Sequence, residues 1–201
     1  MSKVKVGFAM CGSFCTFSRA ITQMELLVKS GYEVIPIMSE NAYSKDTRFG
    51  KAEDIRRKIE SICGKPIINK IEMAEPIGPK KMTDIMVIAP CTGNTLSKLA
   101  NSVVDTTVTM AAKSHLRGQN PLLIALATND ALAGSAKNMG FMLNMKYVYF
   151  VPMSQDDPLK KPNSLVAHFE LLLPSMEAAM MGMQIQPIFI DNWLKCIISN
   201  K

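Results

Sequence analysis

Short runs of consecutive apolar residues alternate, along most of the chain, with segments whose apolar residues recur every three or four positions. Five runs predict strands: Val4–Ala9, Glu33–Met38, Ile85–Ala89, Leu122–Ala127 and Tyr147–Val151. Helical spacing lies between them. Ile21, Met24 and Val28 lead to a stop at Gly31, Ile55, Ile59 and Ile62 to a stop at Gly64, and Leu96, Leu99 and Val103 form a further stripe. Strands that read as unbroken apolar runs are buried on both faces, and strands separated by helices pair in parallel. The pattern therefore predicts a three-layer α/β architecture, a Rossmann-like doubly wound parallel sheet. One domain over 1–187 is expected, with 188–201 as a C-terminal tail of unassigned role. A last long helix is predicted from about Ser164, kinked or restarted at Pro174.

In such a sheet, ligands bind outside the carboxyl ends of the strands. The residues that follow the strands are "MCGSFCT" (10–16), "SENAYS" (39–44), "PCTGNT" (90–95) and "TNDALAGS" (128–135), all rich in Ser, Thr, Asn or Gly. Ordinary turn chemistry accounts for part of this: Thr92 or Asn94 would cap the next helix, and Gly12 would permit a tight turn. Anion binding is the alternative, because free N–H groups at a helix N-terminus suit a phosphate. Gly12 would let backbone approach a ligand, and Ser13 and Thr16 would offer hydroxyls. The first loop is not GxGxxG, and Ser39 comes before Glu40 where a dinucleotide's ribose would want an acid. A mononucleotide is the better expectation.

Composition narrows the picture. At 201 residues, 48% hydrophobic and 20% charged, the chain can bury a core and does not read as disordered. No apolar run approaches the roughly 18 residues of a membrane span, and "MSKVKVGFAM" lacks signal-peptide architecture. A cytoplasmic protein without a membrane partner is expected. The five cysteines are odd in number and form no CxxC pair, so neither a disulfide framework nor a metal site is expected. Each suits a buried small apolar position, although Cys11, Cys15 and Cys91 fall in the ligand loops. The net charge of +6 is dispersed, apart from "RRK" at 56–58, and aromatics do not interleave with it. That pattern argues against nucleic acid and suits a small polyanion or an acidic partner. The stretch "MEAAMMGMQ" (176–184) fits either helix core or an adaptable interface.

The segment "PCTGNTLSKLANSVVD" (90–105) resembles the "PASANTxxKxAxGxxD" signature of FMN-binding flavoproteins, the homo-oligomeric flavin-containing cysteine decarboxylase superfamily. Pro90, Asn94, Thr95, Lys98, Ala100 and Asp105 match it. "GFAMCGSFC" is similar to that superfamily's first flavin loop, Ser39 to its phosphate-binding Ser, and Asn129 to the Asn of a later segment. The resemblance implies a flavoprotein-type fold. It also implies an FMN site at Gly12, Ser13, Ser39, Pro90, Asn94, Thr95 and Asn129. The decarboxylases use a His about a dozen residues before the signature. None stands before Pro90 here, and His115 and His168 both fall on predicted helices, His115 as a surface residue near a helix C-terminus. Cysteine decarboxylation is disfavoured on that ground.

A more extensive resemblance, to the B-subunit family of dipicolinate synthases, runs through Thr47–Gly50, "AEPIGPK" (74–80), "LATNDAL" (126–132) and "SQDDPLKKPNSLVA" (154–167). It implies one half of an oxidoreductase that, with an A-type partner, oxidises dihydrodipicolinate to pyridine-2,6-dicarboxylate in the mother cell during endospore formation. NAD(P) would enter through the A-type partner, and the chain would form a homo-oligomer. No catalytic residue is assigned. A dicarboxylate needs cationic clamps, for which Arg48 and Lys98 are the candidates, with Lys45, Lys160 and Lys161 in loops. The alternative is a stabilising component that keeps the flavin fold without turnover.

Overall fold

The computed structural model describes residues 3–191. In chain order the elements are β1 (Lys5–Met10), α1 (Phe17–Lys29), β2 (Glu33–Met38), α2 (Glu40–Ser44), α3 (Ala52–Cys63), α4 (Ile71–Ala74), β3 (Ile85–Cys91), α5 (Gly93–Ala100), α6 (Thr107–Leu116), β4 (Leu122–Thr128), α7 (Ala136–Leu143), β5 (Val148–Phe150), β6 (Met153–Ser154), β7 (Leu165–Ala167) and α8 (Leu172–Met180). The five predicted strands are all present, each within two residues of its expected limits.

The strand order is β2-β1-β3-β4-β7-β6, with β5 also paired to β4. β1 pairs in parallel with both β2 and β3, β4 pairs in parallel with β3 and β5, and only β7 and β6 add antiparallel steps. The order reverses between β1 and β3, the switch point where open α/β sheets hold their ligands. β3, the central strand, is buried throughout. One sheet face packs Phe8, Met24, Leu27, Ile59 and Met176 beneath α1, α3 and α8. The other packs Ile77, Ile88, Val108, Ile124 and Met142 beneath α4 to α7.

Local signals account for the helix limits. On α1 the buried residues are Phe17, Ala20, Ile21, Met24 and Leu27, the three-and-four spacing read from the sequence. α3 carries Glu53 and Asp54 in its first turn and stops at Gly64, whose φ of 62° is left-handed and costs glycine nothing.

The C-terminal third departs from expectation. Residues 165–167 form β7, not the start of a helix, and α8 begins only at Leu172. Pro174 therefore lies in the first turn of α8, where its missing N–H is not needed, and it neither kinks nor restarts a helix. Antiparallel pairing of β7 with Ala127 and Thr128 overrides the helical spacing that follows Ser164. Met176 is buried under the sheet, while Met181 and Met183 are exposed. Beyond Pro187, Met153 exchanges backbone hydrogen bonds with Ile188 and Ile190 at 2.9 Å each. The rest of the expected tail, with Cys196, lies outside the described residues.

The two histidines also differ from expectation. His115 is on α6 but is 1% exposed, so it is no surface residue complementing a helix dipole. Its Nε2 donates to the Pro121 carbonyl at 2.9 Å and its Nδ1 meets the Thr83 hydroxyl at 2.8 Å. Burial lowers its pKa, so the ring is neutral at pH 7. His168 is not helical. It stands between β7 and a 3-10 turn at 169–171. Among the described residues, no helix is long and apolar enough to cross a membrane.

Candidate functional site

Because β1 to β4 run in parallel, the loops after them emerge on one edge of the sheet. A cleft of about 580 Å³ opens there, within the ~300–1,000 Å³ range of small-molecule sites. Its floor comes from Gly12, Ser13 and Thr16 after β1, Thr92 after β3, and Thr128 and Asn129 at the end of β4. Arg48 and Phe49 from the loop before α3, Phe14 and Arg19 around the start of α1, and Asp156 and Lys161 from the β6–β7 loop form its walls.

The residues expected to bind a flavin divide into two groups. Gly12, Ser13 and Asn129 line the cleft, and so does the candidate clamp Arg48. Ser39, Pro90, Asn94 and Thr95 are not among its lining residues, although they stand at the same strand ends. Ser39 caps α2, accepting from the Ala42 N–H at 3.3 Å, and its own N–H joins the Met10 carbonyl. Pro90 is buried, and its carbonyl accepts from the Cys11 N–H at 3.2 Å. Thr95 turns inward, its hydroxyl donating to Cys11 Sγ at 3.2 Å. Asn94 is exposed in the first turn of α5. Lys98 is directed elsewhere: its ammonium binds both oxygens of Asp105 at 2.8 Å, and it lines a separate apolar hollow with Leu99, Val103 and Leu116.

The start of α5 is built by three contacts. Thr92 is the N-cap and accepts from the Thr95 N–H at 3.2 Å. Gly93 follows in close packing: a Cβ there would come within 2.6 Å of the Thr128 hydroxyl and 2.7 Å of both Asp130 and Ser135 oxygens. Asp130 is held by Thr128 at 2.6 Å and Ser135 at 3.0 Å, so the loop after β4 locks onto the helix start. Only a residue without a side chain admits that approach.

The electrostatics fit an anionic ligand. Lys161 pairs with Asp156 at 2.9 Å, and that contact raises the lysine's pKa. Burial alone would raise the Asp156 carboxyl, but Ser164 and Lys161 outweigh it and hold it below the usual range. Arg48 stacks on Phe49 at 4.9 Å and has no carboxylate partner among the described residues. Beneath the floor, burial pushes the Cys11 thiol up to about 11 and the Cys91 thiol well above its ordinary value, so both are inert thiols at pH 7. Glu40, the acid after Ser39, accepts from the Thr107 N–H at 3.0 Å and its hydroxyl at 2.8 Å. That use removes it from any ribose. Among the described residues, no cluster of three or more His, Cys, Asp or Glu could hold a metal ion.

Sequence reasoning passed over Arg19, Phe14, Phe49 and Asp156. Arg19 did carry a signal: it is a cation in the first turn of a helix, where the dipole favours an acid.

A mainly parallel sheet in this order, with a donor-rich cleft at its switch point, defines a Rossmann-like α/β domain. The flavoprotein family model matches residues 1–166, and the chain belongs to that family and, within it, to the B-subunit family of dipicolinate synthases. The dipicolinate synthase B subunit of Bacillus subtilis (strain 168) is 44% identical over 189 residues, 94% of each chain. The crystal structure of the dipicolinate synthase B subunit from Bacillus halodurans superposes with a TM-score of 0.87 at 42% identity, over 96% of this chain and 100% of that one. The FMN-dependent cysteine decarboxylase SpaF shares the fold at 19% identity, with a TM-score of 0.63 over 89% of this chain and 97% of its own.

Proposed function

We propose that this chain is the flavin-carrying B subunit of a dipicolinate synthase, which with an A-type partner oxidises dihydrodipicolinate to pyridine-2,6-dicarboxylate. The observation that carries the reading is 44% identity to a dipicolinate synthase B subunit over 94% of the chain. The setting is the mother-cell cytoplasm of a sporulating bacterium. The chain works as a homo-oligomer beside its A-type partner, which brings NAD(P).

The cleft's donors fit FMN. In the loop after β1 Gly12 presents a backbone N–H and Ser13 a hydroxyl, Thr92 shapes the start of α5, and Asn129 offers an amide beside them. Asn94, Thr95, Pro90 and Ser39 support that surface from the same strand ends. A bound flavin supplies a two-electron acceptor, while the protein orients the reactants and sets the electrostatics. Dihydrodipicolinate loses a hydride and a proton, and aromatisation drives the step, so the demand on acid–base groups is small. No residue of this chain is assigned as the base. Arg48, stacked and without a carboxylate partner among the described residues, holds a substrate carboxylate by its planar fork.

The rival reading, a component that stabilises the complex without turnover, is favoured by one feature: Thr95, a signature residue, spends its hydroxyl on Cys11 inside the protein. Reconstitution with the A-type partner, with and without FMN, separates the two readings. Dipicolinate formation that requires FMN supports catalysis here, and full activity without it overturns that role. Within the active complex, Arg48→Lys raises the apparent KM and leaves FMN affinity unchanged. Wild-type behaviour of both Arg48→Lys and Arg48→Ala would move the substrate site to the A-type partner.

A further inference from the structure

Arg19 is held in place from several sides. Its guanidinium stacks over the Phe169 ring at 4.8 Å, and one nitrogen, Nη2, reaches both the Ala167 carbonyl at 3.4 Å and Glu170 at 3.5 Å. Glu170 is fixed from behind, accepting from His168 Nδ1 at 3.0 Å, and His168 Nε2 meets the Ser154 hydroxyl at 2.8 Å. Both contacts are long and fall on Nη2, so among the described residues the Nε and Nη1 donors of this cleft-lining side chain meet no protein acceptor.

Arg19 and Arg48 approach the cleft from opposite ends of the strand order. Arg48 belongs to the loop beyond β2, the edge strand next to β1. Arg19 is tied to β7, which lies beyond β4 on the other side. The cleft between them carries neutral backbone and hydroxyl donors after β1, and those suit a phosphate. A guanidinium at each of its two ends suits a carboxylate.

We propose that Arg19 is a second anion anchor, a specificity-determining residue that holds one carboxylate of a planar dicarboxylate while Arg48 holds the other. His168 and Glu170 are positioning residues that fix its orientation. This rests on the dipicolinate reading of the cleft. Glu170 also competes with the ligand, since its carboxylate partly neutralises the guanidinium that the ligand needs. Two variants that break the same ion pair therefore act in opposite directions on binding.

The test is calorimetric titration of pyridine-2,6-dicarboxylate and pyridine-2-carboxylate into the full chain saturated with FMN. Arg19→Gln is expected to weaken the dicarboxylate by about tenfold and to shrink its advantage over the monocarboxylate, with FMN affinity unchanged. Glu170→Gln is expected to tighten the dicarboxylate about two- to threefold. The proposal is overturned if Arg19→Gln binds the dicarboxylate as wild type does, or loses FMN instead. It is equally overturned if both variants weaken binding to a similar extent, which is what a purely structural ion pair would do. Wild-type protein that binds neither pyridine carboxylate overturns the substrate reading itself, and the role of Arg19 with it.

Discussion

α5 and α6 follow one another in the chain, and both open on a threonine cap, yet they end up in different chemistry. α6 is tied to the rest of the protein at both ends. Thr106 forms a capping box with Thr109, Glu40 supplies a carboxylate to Thr107, and His115 is pinned between Thr83 and Pro121 at the other end. α5 has the cap alone. Among the described residues no protein acceptor meets the N–H groups of Gly93 and Asn94, and the nearby Asp130 carboxylate is engaged by Thr128 and Ser135. A helix start whose first donor is answered by a carboxylate, as Thr107 is by Glu40, contributes stability. One whose donors are left open, at the edge where a cleft forms, can bind a ligand.

Substitution of Gly93 should break the contrast most strongly. Gly93→Ala forces a methyl against three oxygens of the β4 loop. Overpacking of that kind costs about 1–3 kcal/mol, and here the strain falls on the cleft floor. FMN affinity is expected to drop by tenfold or more while the chain still folds, as read by flavin fluorescence beside thermal denaturation. Unchanged FMN binding would show that the start of α5 is not part of the site.

Glu40→Ala is expected to act on stability alone. It orphans the Thr107 N–H and hydroxyl at the start of α6, at about 1–3 kcal/mol for a donor left unsatisfied. In a domain of this size each 1 kcal/mol lowers Tm by roughly 2–4 °C. A loss of FMN binding without a fall in Tm would mean that Glu40 serves the ligand.

Asn94→Ala makes a milder test of the open helix. The side chain is exposed in the first turn, so its removal should leave Tm almost unchanged. FMN binding should weaken by the worth of one hydrogen bond, about 0.5–1.5 kcal/mol. Calorimetry reads the difference, and a variant indistinguishable from wild type would take Asn94 out of the flavin site.

The smallest effect concerns pH and the His115 end of α6. His115 has a folded pKa depressed by burial, below the unfolded value of about 6.5. The unfolded chain therefore takes up this proton first. Its contribution to stability is intact above about pH 6.5 and is lost as pH falls through the window below it. Tm measured from pH 7.5 to 5 should fall more steeply for wild type than for His115→Gln, which cannot titrate. Equal slopes would place the acid sensitivity elsewhere.

Much of this contrast could be read from the chain before folding. The apolar run of β3 and the stripe of α5 identify a strand-to-helix junction, and "PCTGNT" between them marks its capping residues. Arg48 was legible as a cation in a ligand-edge loop. Thr95 and Lys98 illustrate the limit. Both match the flavin signature, but one spends its hydroxyl on Cys11 and the other its ammonium on Asp105. Those partners depend on side-chain direction and on which strand lies alongside, and spacing along the chain encodes neither. The β7 segment departs from its local helical spacing for a related reason. Its fate depends on the free edge at the end of β4, some forty residues earlier, a non-local pairing that outweighs local periodicity.

The sequence by itself determined the five parallel strands, their helical crossovers and the loops placed together at one edge. Those features follow from local hydrophobic period and from the rule that strands buried on both faces pair in parallel. The tertiary structure alone decided which polar groups would stay open. Glu40 reaches α6 across 67 residues of chain, and Arg19 reaches β7 across 148. A donor or a charge is available to a ligand only so far as packing leaves part of its hydrogen-bonding capacity unused, and that can be known only once distant segments have met.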